Sequence, residues 1–233
     1  MLISLVIPTL NEADAIATLL PALDKIALTL KERGFNLEVI IVDDGSTDGT
    51  AEKIKSIQQS FNYQIVLMQR TVRDLSTAVI DGWKRAQGEI WGVMDADLSH
   101  PPAVIPELIE ALTNADIAVG SRNIPGGGVE NWPYIRRLYS RMGASLAKFV
   151  GIKVADPMSG FFFFNKKVLN GVTLSPIGYK ILLEILVKGH YDKAQEIPYI
   201  FLNRTVGKSK LGHKVMINYL RHLWRLLLWK LHH

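Results

Sequence analysis

In the stretch VMDADLSHPP, residues 93–102, two carboxylates stand two positions apart at the end of an apolar run. Residues two apart on an extended chain point to the same side, so Asp95 and Asp97 can aim at one point in space. Alone they would repel each other there. A hard divalent cation relieves that repulsion, because Mg2+ and Mn2+ take oxygen ligands and readily share a site with phosphates. A solvated acidic loop would satisfy the same letters, so the pair by itself leaves both readings open. A second acidic cluster, VDDGSTDGT (42–50), follows another apolar run. Gly45 permits a tight turn, and Ser46 with Asp48 suits the cap of a following helix. Turn and cap roles account for Ser46, Asp48 and Gly49. They account less well for Asp44, which falls where the edge of a sheet would open.

The elements that must hold these residues follow from hydrophobic periodicity. LISLVI (2–7), LEVIIV (37–42), YQIVLM (63–68), EIWGVM (89–94) and DIAVGS (116–121) read as strands. Helical patterns lie between them: from Asn11 to Arg33, after a cap near Ser46 to Asp48, and over 75–87 and 102–113. Pro101 and Pro102 suit the first turn of the last of these. Unbroken apolar strands alternating with helices predict an α/β fold with a mostly parallel sheet covered on both faces. Such sheets bind ligands at the carboxyl ends of their strands. Pro8-Thr9, Asp43-Asp44, Asp95-Ala96-Asp97 and Ser121-Arg122 all follow strands and should share that edge. In the second half, SGFFFFNKKVL (159–169) reads as a strand running into a short helix and GYKILLEILVKG (178–189) as a helix. EIPYIFLNR (196–204) reads as one further strand and His213–Leu231 as a final helix. The expected division is a catalytic domain over 1–212 and an amphipathic helix over 213–233.

Composition narrows the options. The 233 residues are 48% hydrophobic with a net charge of +5, which suits one large domain and an anionic ligand or surface. There is no cysteine, which removes disulfides and thiolate-bound metals. No helix-turn-helix, RNP-like or zinc-finger pattern argues for nucleic acid as a partner. Met1 leads directly into LISLVIPT, with no basic region or cleavage site of a signal peptide. No run of about 20 apolar residues offers a transmembrane helix. The six histidines lack metal-ligand spacing, which favours structural or surface roles for them.

In order along the chain stand IPTLNE, VDDGSTDGT, DADLSHPP, GSR, GGGVENWP, DPMSGFF, PIGYKILLEIL and GKSKL. Over roughly residues 3–229 this pattern resembles the polyprenol-phosphate and dolichol-phosphate mannose synthases, family-2 glycosyltransferases with a GT-A fold. The first three motifs are shared by many family-2 enzymes; NWP, PIGYK and SKL are narrower and point to the lipid-phosphate branch. The resemblance implies a metal-dependent, inverting transfer of mannose from GDP-mannose to a polyprenyl (dolichyl-type) monophosphate. It implies that Pro8, Leu10 and Glu12 line the nucleotide pocket with Val42 and Asp44, Asp44 accepting a base N–H. Asp95, Ala96 and Asp97 would hold the donor diphosphate and Mg2+ or Mn2+, with Ser99 a weak third ligand where glutamine is usual. Arg122, Lys180, Arg204 and Lys210 would contact phosphates of donor or acceptor, and Arg122, Arg136 and Ser140 the lipid phosphate. Asp95, Asp97, Arg122 and Arg204 would be the catalytic set. The chain departs from the family in carrying Leu10 at a usually aromatic position and in lacking a glycine in RTVRDLSTA.

A phosphate monoester is already largely ionised at neutral pH, so such an acceptor needs positioning more than a general base. Asp156 is either a base or a turn residue before Pro157; Lys180 and Glu184, spaced i, i+4, either serve phosphate or pair on a helix surface. On the final helix Lys214, Asn218, Arg221, His222 and Arg225 form a polar stripe opposite Val215, Met216, Tyr219, Leu220, Leu223, Trp224, Leu227 and Leu228. The segment from Trp132 to Val150 has a similar division. Both faces suit a membrane interface or the domain's own core; LLLWKLHH at the end of the final helix equally suits the start of a transmembrane region or the contact surface for a separate membrane subunit. A cytoplasmic protein, peripheral on the cytoplasmic face of a membrane, is the expected location. The alternatives are another donor such as UDP-glucose, or an inactive sugar-nucleotide-binding subunit, which the intact Asp95 and Asp97 argue against.

Overall fold

The computed structural model describes residues 1–130, 142–178, 180–202 and 213–232. Strands β1 (Leu2–Thr9) and β2 (Asn36–Asp43) are runs of branched aliphatics and bury nearly every position, as strands covered on both faces must. Between them, α1 (Ala13–Glu32) buries Ile16, Leu19, Leu20, Leu23, Ala27 and Leu30, the spacing of one apolar stripe. The alternation continues through α2 (Thr50–Ile57), β3 (Gln64–Gln69), α3 (Leu75–Arg85), β4 (Ile90–Val93), α4 (Ile105–Ala111) and β5 (Ile117–Ser121). Then come β6 (Gly128–Val129), helical residues 142–147 (α5), β7 (Phe162–Asn165), α6 (Ile181–Lys188), β8 (Ala194–Pro198), β9 (Ile200–Phe201) and α7 (His213–His232).

The main sheet has 7 strands in the order β3-β2-β1-β4-β7-β5-β8. All neighbours are parallel except β7, which runs antiparallel to β4 and to β5. Its phenylalanines alternate across the sheet as the pleat requires. Phe161 and Phe163 join the layer of α1 and α4, while Phe162 and Phe164 pack with Trp83 of α3 in the other. The stretch expected as a single strand over 196–204 is two: β8 ends at Pro198, the Tyr199 amide still donates to Ser121 of β5 at 3.1 Å, and Ile200-Phe201 pairs with β6 instead. Proline has no N–H to extend a ladder, so the break falls where the sequence dictates it.

Helix α7 corrects one expectation. His222, placed on a polar stripe by spacing, is fully buried, as are Tyr219 and Leu226. They pack in the core layer that also holds residues of α6. Glu184 of α6 meets them there, itself fully buried. It pairs with Lys188 at 2.5 Å and not with Lys180, accepts the Ser175 amide at 3.1 Å, and lies 3.7 Å from His222 Nε2 and 4.0 Å from Arg225 Nη2. Burial raises the Glu184 carboxyl, but His222, Lys188 and the Ser175 amide outweigh it and hold the group at about 2.

A carboxyl held below its ordinary value of 4.5 stabilises the fold fully above that pH and loses its contribution as pH falls through about 2. Glu184→Gln strands the surrounding cations and should cost about 3–5 kcal/mol at neutral pH. Urea unfolding of both proteins across pH 2 to 7 checks this: their stability difference should be flat above the carboxylate range and shrink below it.

Candidate active site

The carboxyl ends of β1, β2, β4 and β5 lie on one edge of the sheet, because these strands run parallel and β7 alone reverses. The loops after β1 and β2 are stapled together by the residues expected to cap. Ser46 Oγ donates to Asp43 Oδ1 and accepts the Asn11 amide at 2.8 Å; Asn11 Oδ1 accepts the Thr47 amide at 2.9 Å. Asp48 accepts the amides of Ala13 and Thr50 at 3.1 and 3.0 Å, so it caps the starts of α1 and α2 at once. Slight burial raises its carboxyl, but these bonds and that of the Thr50 hydroxyl hold it below the ordinary range. Gly45 turns the chain at φ 78°, where a side chain would be strained.

Pro8 and Val42 are register partners, both buried. Val42 packs its side chain into the core against α3, so only its backbone faces the edge. Leu10 and Glu12 are half-buried on the loop beside them. Asp44 is more tied down than the sequence suggests. Its Oδ2 accepts the Asp74 amide at 3.1 Å, and its Oδ1 lies 3.4 Å from Arg70 Nη1 without a hydrogen bond. Burial raises the Asp44 carboxyl above its ordinary value, with Arg70 opposing. Asp74 in turn caps α3 through the Thr77 amide at 2.9 Å. Two residues after Asp74, Ser76 Oγ donates to the Gly178 carbonyl, itself two residues before Lys180 at the head of α6. The Asp44 loop and the PIGYK loop are thus joined through the start of α3.

After β4 the chain leaves extended geometry, so Asp95 and Asp97 sit on a loop and not on the strand itself. Asp95 is 27% exposed and its amide donates to His100 Nδ1 at 3.1 Å. Asp97 Oδ1 accepts the Ser99 amide at 3.0 Å. Ala96 and Ser99 are buried, and Ser99 Oγ makes no hydrogen bond among the described residues. Two carboxylates and a hydroxyl make an all-oxygen donor set, which fits Mg2+ or Mn2+. Among the described residues no third Asp, Glu or His joins them, so substrate oxygens and water would have to complete the shell, as hard cations that keep several waters allow.

Arg122, expected to touch phosphate, is built into an ion pair. Its Nε and Nη2 donate to Asp156 Oδ2 and Oδ1 at 2.6 and 2.7 Å, and its amide also reaches Oδ2 at 3.1 Å. Burial works against the cation, but these bonds and the charge of Asp156, with smaller help from Asp95, hold it above its ordinary value. Asp156 is the turn residue before Pro157, its carbonyl accepting the Ser159 amide at 3.2 Å, and its side chain is fully buried with both oxygens engaged by Arg122, so neither is open to serve as a general base. Glu196 of β8 anchors its loop by accepting the Ala155 and Asp156 amides at 2.8 and 3.1 Å.

The edge thus gathers Leu10, Glu12, Asp44, Asp95, Asp97 and Arg122. Arg136, Ser140, Arg204 and Lys210 lie outside the described residues. Sequence reasoning passed over Arg70, although it follows β3 as the other site residues follow their strands; the same strand-end rule would have found it. Nothing local marks Glu196.

This architecture is that of the GT-A fold. The mannosyltransferase PcManGT of Pyrobaculum calidifontis, solved with GDP-Man and Mn2+, superposes with a TM-score of 0.63 at 18% identity, covering 99% of this chain and 64% of that one. The mannosyl-3-phosphoglycerate synthase of Rubrobacter xylanophilus gives 0.61 at 15% identity, with 99% and 74% covered. The glycosyl transferase family 2 model matches residues 4–173, and the chain belongs to that family. The dolichol-phosphate mannosyltransferase of Pyrococcus furiosus is 46% identical over 99% of this chain and 65% of its own length. That of Saccharomyces cerevisiae is 39% identical over 83% and 75%. The chain thus spans about two thirds of the Pyrococcus relative.

Asp156→Ala removes both side-chain bonds of a buried guanidinium. It should lower the unfolding free energy by about 3–5 kcal/mol, against about 0.5 kcal/mol or less for the surface control Lys55→Ala, both measured by urea denaturation.

Proposed function

We propose that the chain transfers mannose from GDP-mannose to a polyprenyl monophosphate of the dolichyl type, by in-line displacement with inversion at the anomeric carbon. The observation that carries this is the Asp95/Asp97 loop at the open sheet edge of a chain 46% identical to a dolichol-phosphate mannosyltransferase. Asp44 Oδ1 makes no hydrogen bond among the described residues and is the acceptor for a base N–H, which would take the place of the 3.4 Å contact with Arg70. Pro8, Leu10, Glu12 and the Val42 backbone form the wall of that pocket. Asp95, Asp97 and Ser99 would hold Mg2+ or Mn2+ with the Ala96 backbone beside the diphosphate; the cation, when bound, supplies charge stabilisation to the departing diphosphate. Lys180, Arg204 and Lys210 add positive charge for the same phosphates. Arg122, Arg136 and Ser140 take the acceptor phosphate. Since that phosphate is its own nucleophile, the burial of Asp156 costs the reaction nothing.

The acceptor's chain stays in a bilayer, so the protein must dock beside one. No helix among the described residues is long and apolar enough to cross a membrane. Helix α7, however, buries only one of its apolar faces. Ile217, Leu220, Trp224, Leu228 and Leu231 remain exposed, Trp224 by 63%, in steps of three and four. Phe149, beside the Val150 carbonyl that accepts from Lys230, is 82% exposed. With exposed Arg221 alongside, this face is a surface for an anionic membrane.

Asp95→Asn and Asp97→Asn should each cut turnover of GDP-mannose with a polyprenyl phosphate at least about 100-fold, with the urea midpoint unchanged. Wild-type rates in saturating Mn2+ would remove the carboxylates from the reaction. In a separate measurement, wild type should co-sediment with phosphatidylserine vesicles, less so as salt rises, and Arg221→Glu with Trp224→Ala should bind more weakly. Equal sedimentation of the two proteins would assign the stripe to a protein partner, such as a membrane subunit.

A further inference from the structure

We propose that His100 is a positioning residue that sets the direction of the Asp95 carboxylate, an inference that rests on the cation-site reading above. The loop from Asp95 to Ser99 carries one internal bond, Asp97 Oδ1 accepting the Ser99 amide at 3.0 Å, and is otherwise held from outside. Leu98 sits at φ 62°, a region few side chains favour, so outside contacts must fix it. Leu202 N–H reaches the Ser99 carbonyl at 3.2 Å and anchors the far end. At the near end the Asp95 amide is held by His100 Nδ1, at 3.1 Å.

That acceptor is itself clamped. His100 is 1% exposed. Its ring stacks on Phe161 with centroids 5.2 Å apart and planes at 18°, and the rings of Tyr199 and Phe201 meet it edge-on, each at 5.6 Å. An imidazole gripped on three sides cannot turn, so the lone pair of Nδ1 has a fixed direction. Because Nδ1 accepts the amide proton, the ring's own proton is on Nε2. The 3.9 Å approach of Asp95 Oδ2 to Nδ1 is then a contact and not an ion pair. Gly160 closes the arrangement: a Cβ there would lie 3.3 Å from His100 Cε1 and 3.4 Å from Asp95 Oδ2. Ring, carboxylate and bare backbone therefore fit face to face. The strand β7, the β8–β9 segment and the loop after β4 converge on one imidazole, which accepts a hydrogen bond from the backbone of a proposed cation ligand.

Two substitutions separate positioning from packing. His100→Asn keeps an acceptor at the place of Nδ1 but loses the ring; His100→Phe keeps the ring and loses the acceptor, with His100→Leu as a second acceptor-free variant should the first not fold. Mn2+ binding in the presence of GDP, read from the electron paramagnetic resonance of free Mn2+, needs no turnover. His100→Asn should bind Mn2+ at wild-type strength, and His100→Phe or His100→Leu about 10- to 100-fold more weakly, as losing an outer partner of a metal ligand does. Thermal stability should follow the other order, with His100→Phe above His100→Asn. Mn2+ affinity that tracks thermal stability, or that is equal in all variants, overturns the inference while leaving the cation site standing. Wild type that binds no Mn2+ overturns the cation site and this inference with it.

Discussion

A strand with phenylalanine on both faces must be covered on both, and β7 meets that demand by lying antiparallel between β4 and β5. The reversal brings the start of β7, and not its end, to the carboxyl edge. Ser159, Gly160 and Phe161 therefore sit among the loops after β4 and β5. The two loops lie one strand apart, roughly 9–10 Å at ordinary strand spacing, and the first residues of β7 fill the gap. Phe161 stacks on His100 and its carbonyl accepts the Gly120 amide at 2.8 Å. The acidic loop and the Arg122 ion pair are thus fixed relative to each other by one short strand. A parallel strand in that slot would have delivered Asn165 to the edge and left the acidic loop unsupported.

The charges around that strand are handled in two ways. Arg122 and Asp156 are buried and mutually satisfied, with Glu196 anchoring the loop from below. Such a pair contributes little net stability, but it fixes a guanidinium whose field reaches Asp95. Asp95 keeps partial exposure, and its backbone amide is held by His100 Nδ1. The difference between the two aspartates is therefore where they are held: Asp156 by its carboxylate, Asp95 by its amide.

Most of the fold was legible because its information is periodic. The aliphatic runs of β1, β2 and β5 and the 3.6-residue stripe of α1 specify their elements locally. The acidic loops were legible for a related reason, since an α/β sheet sends strand ends to one edge. What escaped is non-local. The direction of β7 is a property of pairing, and FFFF reads alike both ways. The Arg122–Asp156 bond joins residues 34 apart and Asp156 looks like an ordinary residue before proline. His222 was misplaced because period alone separates helix faces without saying which is covered; the covered face here is the one that brings His222 Nε2 within 3.7 Å of the buried Glu184 carboxylate.

Helix α6 ties these parts into one account. At its head, Lys180 follows the loop that Ser76 binds, next to the residues that hold Asp44. One turn later Glu184 faces α7, and at its end Lys188 reaches both Glu184 and the Trp229 ring, 5.9 Å away. Eight residues therefore span from the sheet edge to the helix that carries the exposed apolar stripe. The buried carboxylate has a clear use in that position. An apolar contact between α6 and α7 could slide by a turn, since both helices are rich in leucine. A carboxylate that must meet Lys188, His222 and the Ser175 amide together admits one register, and polar groups inside helix contacts are best attested in that role. The register sets which face of α7 is left outside, and so fixes the exposed Trp224 stripe relative to the acidic edge.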